Sequence, residues 1–225
     1  MDKSTDALRE WAGSHLTWYG QSAFRIRAEN GDLFFIDPYR VPAEAGPARL
    51  ILVTHPHGDH YDRGAVSALS GPDTLVVMPR SSATDGITGL AAGETLRQDA
   101  LRVTAVAAYN LTRRFHPRSA GWTGYILETD GLRIYHAGDT DLIPEMQSLE
   151  ADIALLPVGG MFTMNVASAV EAAARIRAAL CIPMHYGMLI GGRNAGRRFV
   201  EQLGTGALEL PRARRTHRAG PGRTE

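Results

Sequence analysis

Apolar residues recur along this chain in short runs bounded by glycine, proline, asparagine and aspartate, the pattern of strands punctuated by turns. Residues 15–19, 23–27 and 33–36 read as three strands, with Glu29-Asn30-Gly31-Asp32 turning the chain between the last two. Together they predict an antiparallel meander. Leu50-Ile51-Leu52-Val53 shows no polar alternation, which predicts a strand covered on both faces over 50–54. A helix over 63–69, stopped by Gly71-Pro72, and a strand over 75–78 complete a β-α-β unit. Further strands are predicted at 101–107, 122–127, 132–136, 153–156 and 180–183, and Asp130-Gly131 is a two-residue hairpin signal. Asn165 is an N-cap candidate for a helix whose apolar positions Val166, Ala169, Val170, Ala173 and Ile176 follow the 3.6-residue period. A last helix is expected over 196–203. From Pro211 onward the chain is rich in Arg, Gly and Pro without periodicity, so a single domain over 1–210 and a disordered basic tail over 211–225 are expected.

Composition narrows the class. With 225 residues, 44% of them hydrophobic and 21% charged, the chain is long enough for one substantial core. Lys and Arg together number 24, as do Asp and Glu, so no global field draws the molecule to nucleic acid or anionic lipid. The first thirteen residues include Asp2, Asp6, Arg9 and Glu10 and carry no apolar signal segment, and no stretch is long and apolar enough to span a membrane. The lone cysteine, Cys181, lies in an apolar run and excludes an internal disulfide; it is expected in the core, and the cytoplasm is the simplest compartment. A homo-oligomer is compatible with all of this.

The chemistry is concentrated in His55-Pro56-His57-Gly58-Asp59-His60, directly behind the apolar run at 50–53. Imidazoles and carboxylates are the ligands that zinc and similar divalent ions favour, and a turn this short cannot bury all of these rings in a core. His55 and His57 can converge on one ion, and Asp59 and His60 can reach a second. These residues resemble the hallmark of the metallo-β-lactamase superfamily, His-x-His-x-Asp-His after a strand. Other segments resemble that family in order: Trp18-Tyr19-Gly20-Gln21-Ser22-Ala23-Phe24, Ile36-Asp37-Pro38, Tyr135-His136-Ala137-Gly138-Asp139-Thr140 and Ile182-Pro183-Met184-His185-Tyr186-Gly187. The likeness is greatest to its small single-domain hydrolases, related to ascorbate-6-phosphate lactonases and N-acylphosphatidylethanolamine phospholipases.

The resemblance implies an α/β fold, a four-layer αβ/βα sandwich with metals in a cleft at one edge of two facing sheets. It also implies ligand roles: His55 and His57 on a first ion, Asp59, His60 and His185 on a second, and Asp139 between them. A carboxylate between two cations offsets their repulsion. Most family members supply a third histidine to the first ion, but here the matching strand ends in Tyr109-Asn110. His116, six residues on, Asn110 through its amide oxygen, or neither, remain the alternatives. His136 is either a partner orienting a ligand or a structural histidine.

One or two divalent ions are expected, zinc first, with manganese, nickel or iron as alternatives. The implied reaction is hydrolysis of a small ester, lactone or phosphodiester by a metal-bound hydroxide, with Asp59 orienting the water or accepting its proton. The alternatives are a mononuclear iron redox enzyme of the persulfide dioxygenase kind and a non-catalytic metal-binding protein. Arg113, Arg114 and Arg118 share the loop of His116; the guanidinium of Arg114 is a candidate anion ligand for an anionic small-molecule substrate, against the reading of a solvated basic loop. Tyr186, beside His185, is a candidate hydrogen-bond donor to a developing oxyanion. The glycine-rich segment at 158–164 lacks the spacing of a nucleotide-binding loop and is expected in the pocket wall.

Overall fold

The structure is a computed structural model that describes residues 3–98 and 101–213. It opens with helix α1 (Thr5–His15), which the strand pattern of this region did not signal. Leu8, Trp11 and Ala12 are its buried face, spaced at i, i+3 and i+4, and the Ser4 side chain accepts from the Ala7 amide at its start. The helix displaces the first predicted strand by one residue: β1 spans Leu16–Gly20 and continues into β2 (Ala23–Arg27) and β3 (Leu33–Ile36). These pair antiparallel, as the meander predicts. Next come β4 (Ala48–Leu52), α2 (Arg63–Leu69), β5 (Ser70–Pro79) and the short β6 (Thr88–Leu90), with β3 to β6 in parallel. The first sheet therefore runs β1-β2-β3-β4-β5-β6.

The second sheet has the order β12-β11-β10-β9-β8-β7. Its antiparallel part comprises β7 (Thr95–Gln98), β8 (Leu101–Ala107), β9 (Thr123–Thr129) and β10 (Leu132–His136). Both turn residues of the β9–β10 hairpin, Asp130 and Gly131, have positive φ, the backbone that an Asp-Gly pair tolerates. The parallel part adds β11 (Ile153–Pro157) and β12 (Leu180–Met184) through helix α3 (Val166–Ile176), which the Asn165 side chain caps. Helix α4 (Ala195–Leu203) closes the fold. Thr88–Leu90 and Thr95–Gln98 are strands that the apolar pattern did not mark, being short edge or near-edge segments with mixed burial.

Alternation within each strand explains the layers. Leu50 and Leu52 join Phe24, Ile26, Phe34, Ile36 and Val77 in the core that also holds Val103, Tyr125, Leu127 and Ile134 of the second sheet. Ile51 and Val53 point the other way, with Phe35 and Met78, against Val66 and Leu69 of α2. Each such side chain gains about 1.5–3 kcal/mol by leaving water, so burial outweighs local propensity in setting these strands. Helices α3 and α4 pack on the outer face of the second sheet. The result is an α/β sandwich of four layers: α2, two mixed sheets, then α3 and α4.

Hydrogen bonds pin the two sheets together at one edge. The Tyr125 hydroxyl donates to the Val53 carbonyl at 2.9 Å, Thr123 N to Thr54 O at 3.2 Å, and His185 N to Gln21 O at 2.8 Å. The chain is still paired at Arg212, which bridges Trp18; of the tail expected from Pro211, residues 214–225 lie outside the described residues. Among the described residues, no helix is long and apolar enough to cross a membrane.

Candidate metal centre

The turns and loops leaving β4, β8, β10 and β12 converge at that pinned edge. The turn after β4 closes tightly, with the His60 and Tyr61 amides both donating to the His57 carbonyl. Asp62 then caps α2 by accepting from the Ala65 amide, which fixes where the turn ends. Three donor groups result, each with ligand atoms within 4.8 Å of one another: His55, His57 and His116; His55, His60 and Asp139; and Asp59, His60 and His185. Asp139 joins the outer two. Its Oδ2 lies 3.4 Å from His116 Nε2 and 3.2 Å from His185 Nε2, and its Oδ1 3.3 Å from His60 Nε2.

The structure brings His116, not Asn110, to the first group. Asn110 Oδ1 lies 3.1 Å from His116 Nδ1 while its Nδ2 donates to the Phe162 carbonyl at 2.9 Å. The amide thus holds the Nδ1 proton and leaves Nε2 facing the centre. Asp37 does the same for His60, at 2.7 Å from Nδ1, and is itself fixed by the Thr54 amide and hydroxyl, each at 2.7 Å. Because the Thr54 hydroxyl donates to Asp37, its oxygen accepts from His55 Nδ1 at 3.0 Å. Three ring orientations are set in this way by groups behind the imidazoles. Trp122 forms a wall, its ring centroid 5.0, 4.9 and 5.5 Å from those of His55, His57 and His116.

Electrostatics separates these side chains. Burial, followed by neighbouring imidazoles, holds His55 well below the usual histidine range, lowers His57, and pushes His116 down to about 4. These rings are neutral near pH 7 and have lone pairs to give. Burial also disfavours charge on His60, but Asp139 and Asp37 on either side outweigh it and raise it well above its ordinary value. Asp139 is held well below its ordinary value because His185 and His60 overcome the cost of its burial. His60 Nε2, His116 Nε2 and Asp139 Oδ1 are buried without a hydrogen-bond partner among the described residues. Converging, partnerless nitrogen and oxygen donors of this kind fit divalent cations.

Of the two expected substrate contacts, Tyr186 is engaged elsewhere and Arg114 is not. The Tyr186 hydroxyl donates to Glu209 at 2.8 Å and its ring stacks on Trp18, so its one proton is already spent. Arg113 pairs with Asp141 and with the Thr163 carbonyl, and Arg118 with Glu145, all at 3.0–3.2 Å. Of the three loop arginines only the candidate anion ligand, exposed Arg114, has no partner among the described residues, so its guanidinium is free to meet an anion while its two neighbours are engaged within the protein. His136 is a brace: Nε2 donates to Ser22 O at 2.9 Å and Nδ1 accepts from the Gly138 amide at 3.2 Å, tying the β1–β2 turn to the Asp139 loop. Gly159 lies so close to the His185 carbonyl that any Cβ would collide with it. Cys181 is buried in β12 with its thiol pushed up to about 12 by desolvation, an inert core residue. The sequence gives Asp37, Thr54, Gln21 and Trp122 no role at the site; the available signals are the family-like segments that contain Gln21 and Asp37 and the position of the acid Asp37 directly after an apolar strand.

A sequence profile described as a beta-lactamase superfamily domain matches residues 15–185. The chain belongs to the metallo-β-lactamase superfamily. A UPF0173 metal-dependent hydrolase of Nitratidesulfovibrio vulgaris is 35% identical over 215 residues, covering 84% of this chain and 87% of that one. Another from Archaeoglobus fulgidus is 34% identical over 192 residues, covering 76% and 82%. The solved structure of a metallo hydrolase from the archaeon Ignicoccus hospitalis superposes with a TM-score of 0.73 at 26% identity, covering 88% of this chain and 95% of that one. Within the superfamily the chain is thus an enzyme of the metal-dependent hydrolase class.

Proposed function

We propose that this enzyme hydrolyses a small ester, lactone or phosphodiester at a two-ion centre. His55, His57 and His116 hold the first ion, Asp59, His60 and His185 the second, and Asp139 bridges. The observation that carries this reading is Asp139, one buried carboxylate within 3.4 Å of ligand nitrogens from both groups. Zinc suits a donor set of imidazoles with few carboxylates, and such ions polarise a carbonyl or phosphoryl oxygen and lower the pKa of water.

The chain's own residues do the rest. Asp37, Thr54 and Asn110 hold imidazole protons on the far nitrogens, so the near ones face the centre; those of His55 and His116 are free, and that of His60 gives up a proton to a cation. Trp122 shields the first group from bulk water. Asp59 is the most exposed acid of the centre, with a side chain 23% accessible against 4% for Asp139. It is the carboxylate placed to take a proton from an entering water at its Oδ atoms. Leu111, Phe115 and Met161 are exposed beside the loops that carry His116 and abut His185, and Phe115 meets Phe162 with centroids 4.4 Å apart. That rim suits a substrate with an apolar portion better than a polyanion, and it adds to the balanced net charge in disfavouring nucleic acid.

The test is elemental analysis of protein purified without added metal, coupled to a screen of ester, lactone and phosphodiester substrates. The expected result is two equivalents of a divalent ion and turnover on one class, both lost in Asp139→Ala. Stoichiometric iron with a visible absorption band, or full turnover in Asp139→Ala, overturns the reading.

A further inference from the structure

Gln21 occupies the turn between β1 and β2, fully buried, and no ligand motif assigns it a role. Its side-chain nitrogen lies 3.0 Å from Asp59 Oδ2 and 3.2 Å from His185 Nε2, two donor atoms of the second group. Its Oε1 is buried without a hydrogen-bond partner among the described residues. An amide that faces a carboxylate oxygen and an imidazole nitrogen with its N–H groups is oriented for those ligands in the absence of a cation. A cation between them reverses the requirement, because positive charge repels the amide NH2 and attracts the carbonyl oxygen. Rotation about the terminal torsion, which is broad and two-fold, exchanges the two ends and turns the partnerless oxygen inward.

The backbone carries a second sign. Gln21 has φ of 48°, the left-handed region uncommon for a residue with a side chain. His185 (58°) and Asp37 (46°) share it, so three of the six such non-glycine residues described belong to the ligand shell or its support. Such conformations persist where the surroundings over-determine them. Here the Gln21 carbonyl accepts from both the Trp18 indole at 3.0 Å and the His185 amide at 2.8 Å, and the next carbonyl, Ser22 O, accepts from His136. The turn is held where the Gln21 side chain has one destination, the second group.

We propose that Gln21 is a ligand of the second ion, giving Oε1 alongside Asp59, His60, His185 and the bridging Asp139. The inference rests on the two-ion reading above. It adds a neutral oxygen to that subsite, drawn from the sheet opposite to the one that supplies Asp139 and His185.

Titration of metal-free wild type, Gln21→Leu and Gln21→Glu with Zn2+ or Co2+ against a chromophoric chelator tests it. Gln21→Leu should bind the first ion as wild type does and the second about 10–100-fold more weakly, with a changed Co2+ visible spectrum. Gln21→Glu presents a carboxylate oxygen in either rotamer and should hold the second ion at least as tightly as wild type. Unchanged or tighter second-ion binding in Gln21→Leu overturns the proposal, as does a tenfold loss in Gln21→Glu. Should Gln21→Leu fail to fold, the Gln21→Glu affinity decides alone. A wild type that takes up fewer than two ions overturns the two-ion reading itself, an outcome separate from a defect confined to the variants.

Discussion

The two ends of the centre are built on different principles. Around the first group, His55, His57 and His116 are three imidazoles, the first and last buried and His57 half-buried, pressed together and walled by Trp122. Around the second, Asp59, His60 and His185 include one carboxylate, and His60 leans on a further buried acid, Asp37. The first group is kept ready for a cation by making protonation costly. The second is built on counter-charge: Asp37 and Asp139 flank His60 and favour its protonated form, so a cation there takes the place of the Nε2 proton. Preorganisation by desolvation and by counter-charge are thus both present within one site, and Asp139 links them.

Three outcomes would sharpen or break this contrast, the largest first. His116→Ala removes an imidazole from the group that has no carboxylate of its own, so first-ion affinity should fall by more than about 100-fold while the second ion stays bound. Competition titration with the metal ratio read by elemental analysis checks this, and equal loss of both ions would show that the groups are not separable. Asp37→Asn should act in the opposite sense, weakening the second ion by about 10–100-fold and the first by less, because the amide meets the His60 proton directly and reaches His55 only through the Thr54 hydroxyl. Loss of the first ion instead would break the assignment.

The smallest effect concerns acid stability of the metal-free protein. His55, His57 and His116 are depressed in the folded state, His116 to about 4. Below the unfolded value near 6.5 the unfolded chain binds more protons at these positions, so their stabilising contribution is present above that pH and is lost as pH falls toward 4. His60, being raised, contributes fully below 6.5 and loses its contribution only as pH rises through its folded value, so it does not reverse the acid trend. Thermal midpoints of chelator-treated protein should decline from pH 6.5 to 4, and less so in His116→Ala. A flat profile would contradict the desolvation account of the first group.

Much of the sandwich was legible in the chain. The runs around Leu50 to Val53, Ile153 to Leu156 and Leu180 to Pro183 announce buried strands, and the cap at Asn165 announces the helix that follows. Helix α1 was hidden because its apolar triplet, Leu8, Trp11 and Ala12, sits among charged residues, and β6 and β7 because edge strands bury too little to leave a period. At the site, His55, His57, Asp59 and His60 share one turn and one motif. His116 and Asn110 had no such mark, and the choice between them follows from a hydrogen bond between their own side chains.

Residue type and local order were enough to nominate the ligand chemistry and to mark most of the strands, since those depend on neighbours a few positions apart. Whether Tyr186, Arg113 and Arg118 were free to meet a substrate depended on Glu209, Asp141 and Glu145, partners that only chain crossings bring near. The same holds for Gln21, Asp37 and Trp122. A side chain's role in a centre of this kind is set by which lone pairs and protons surround it, and those come from residues as far apart as Gln21 and His185.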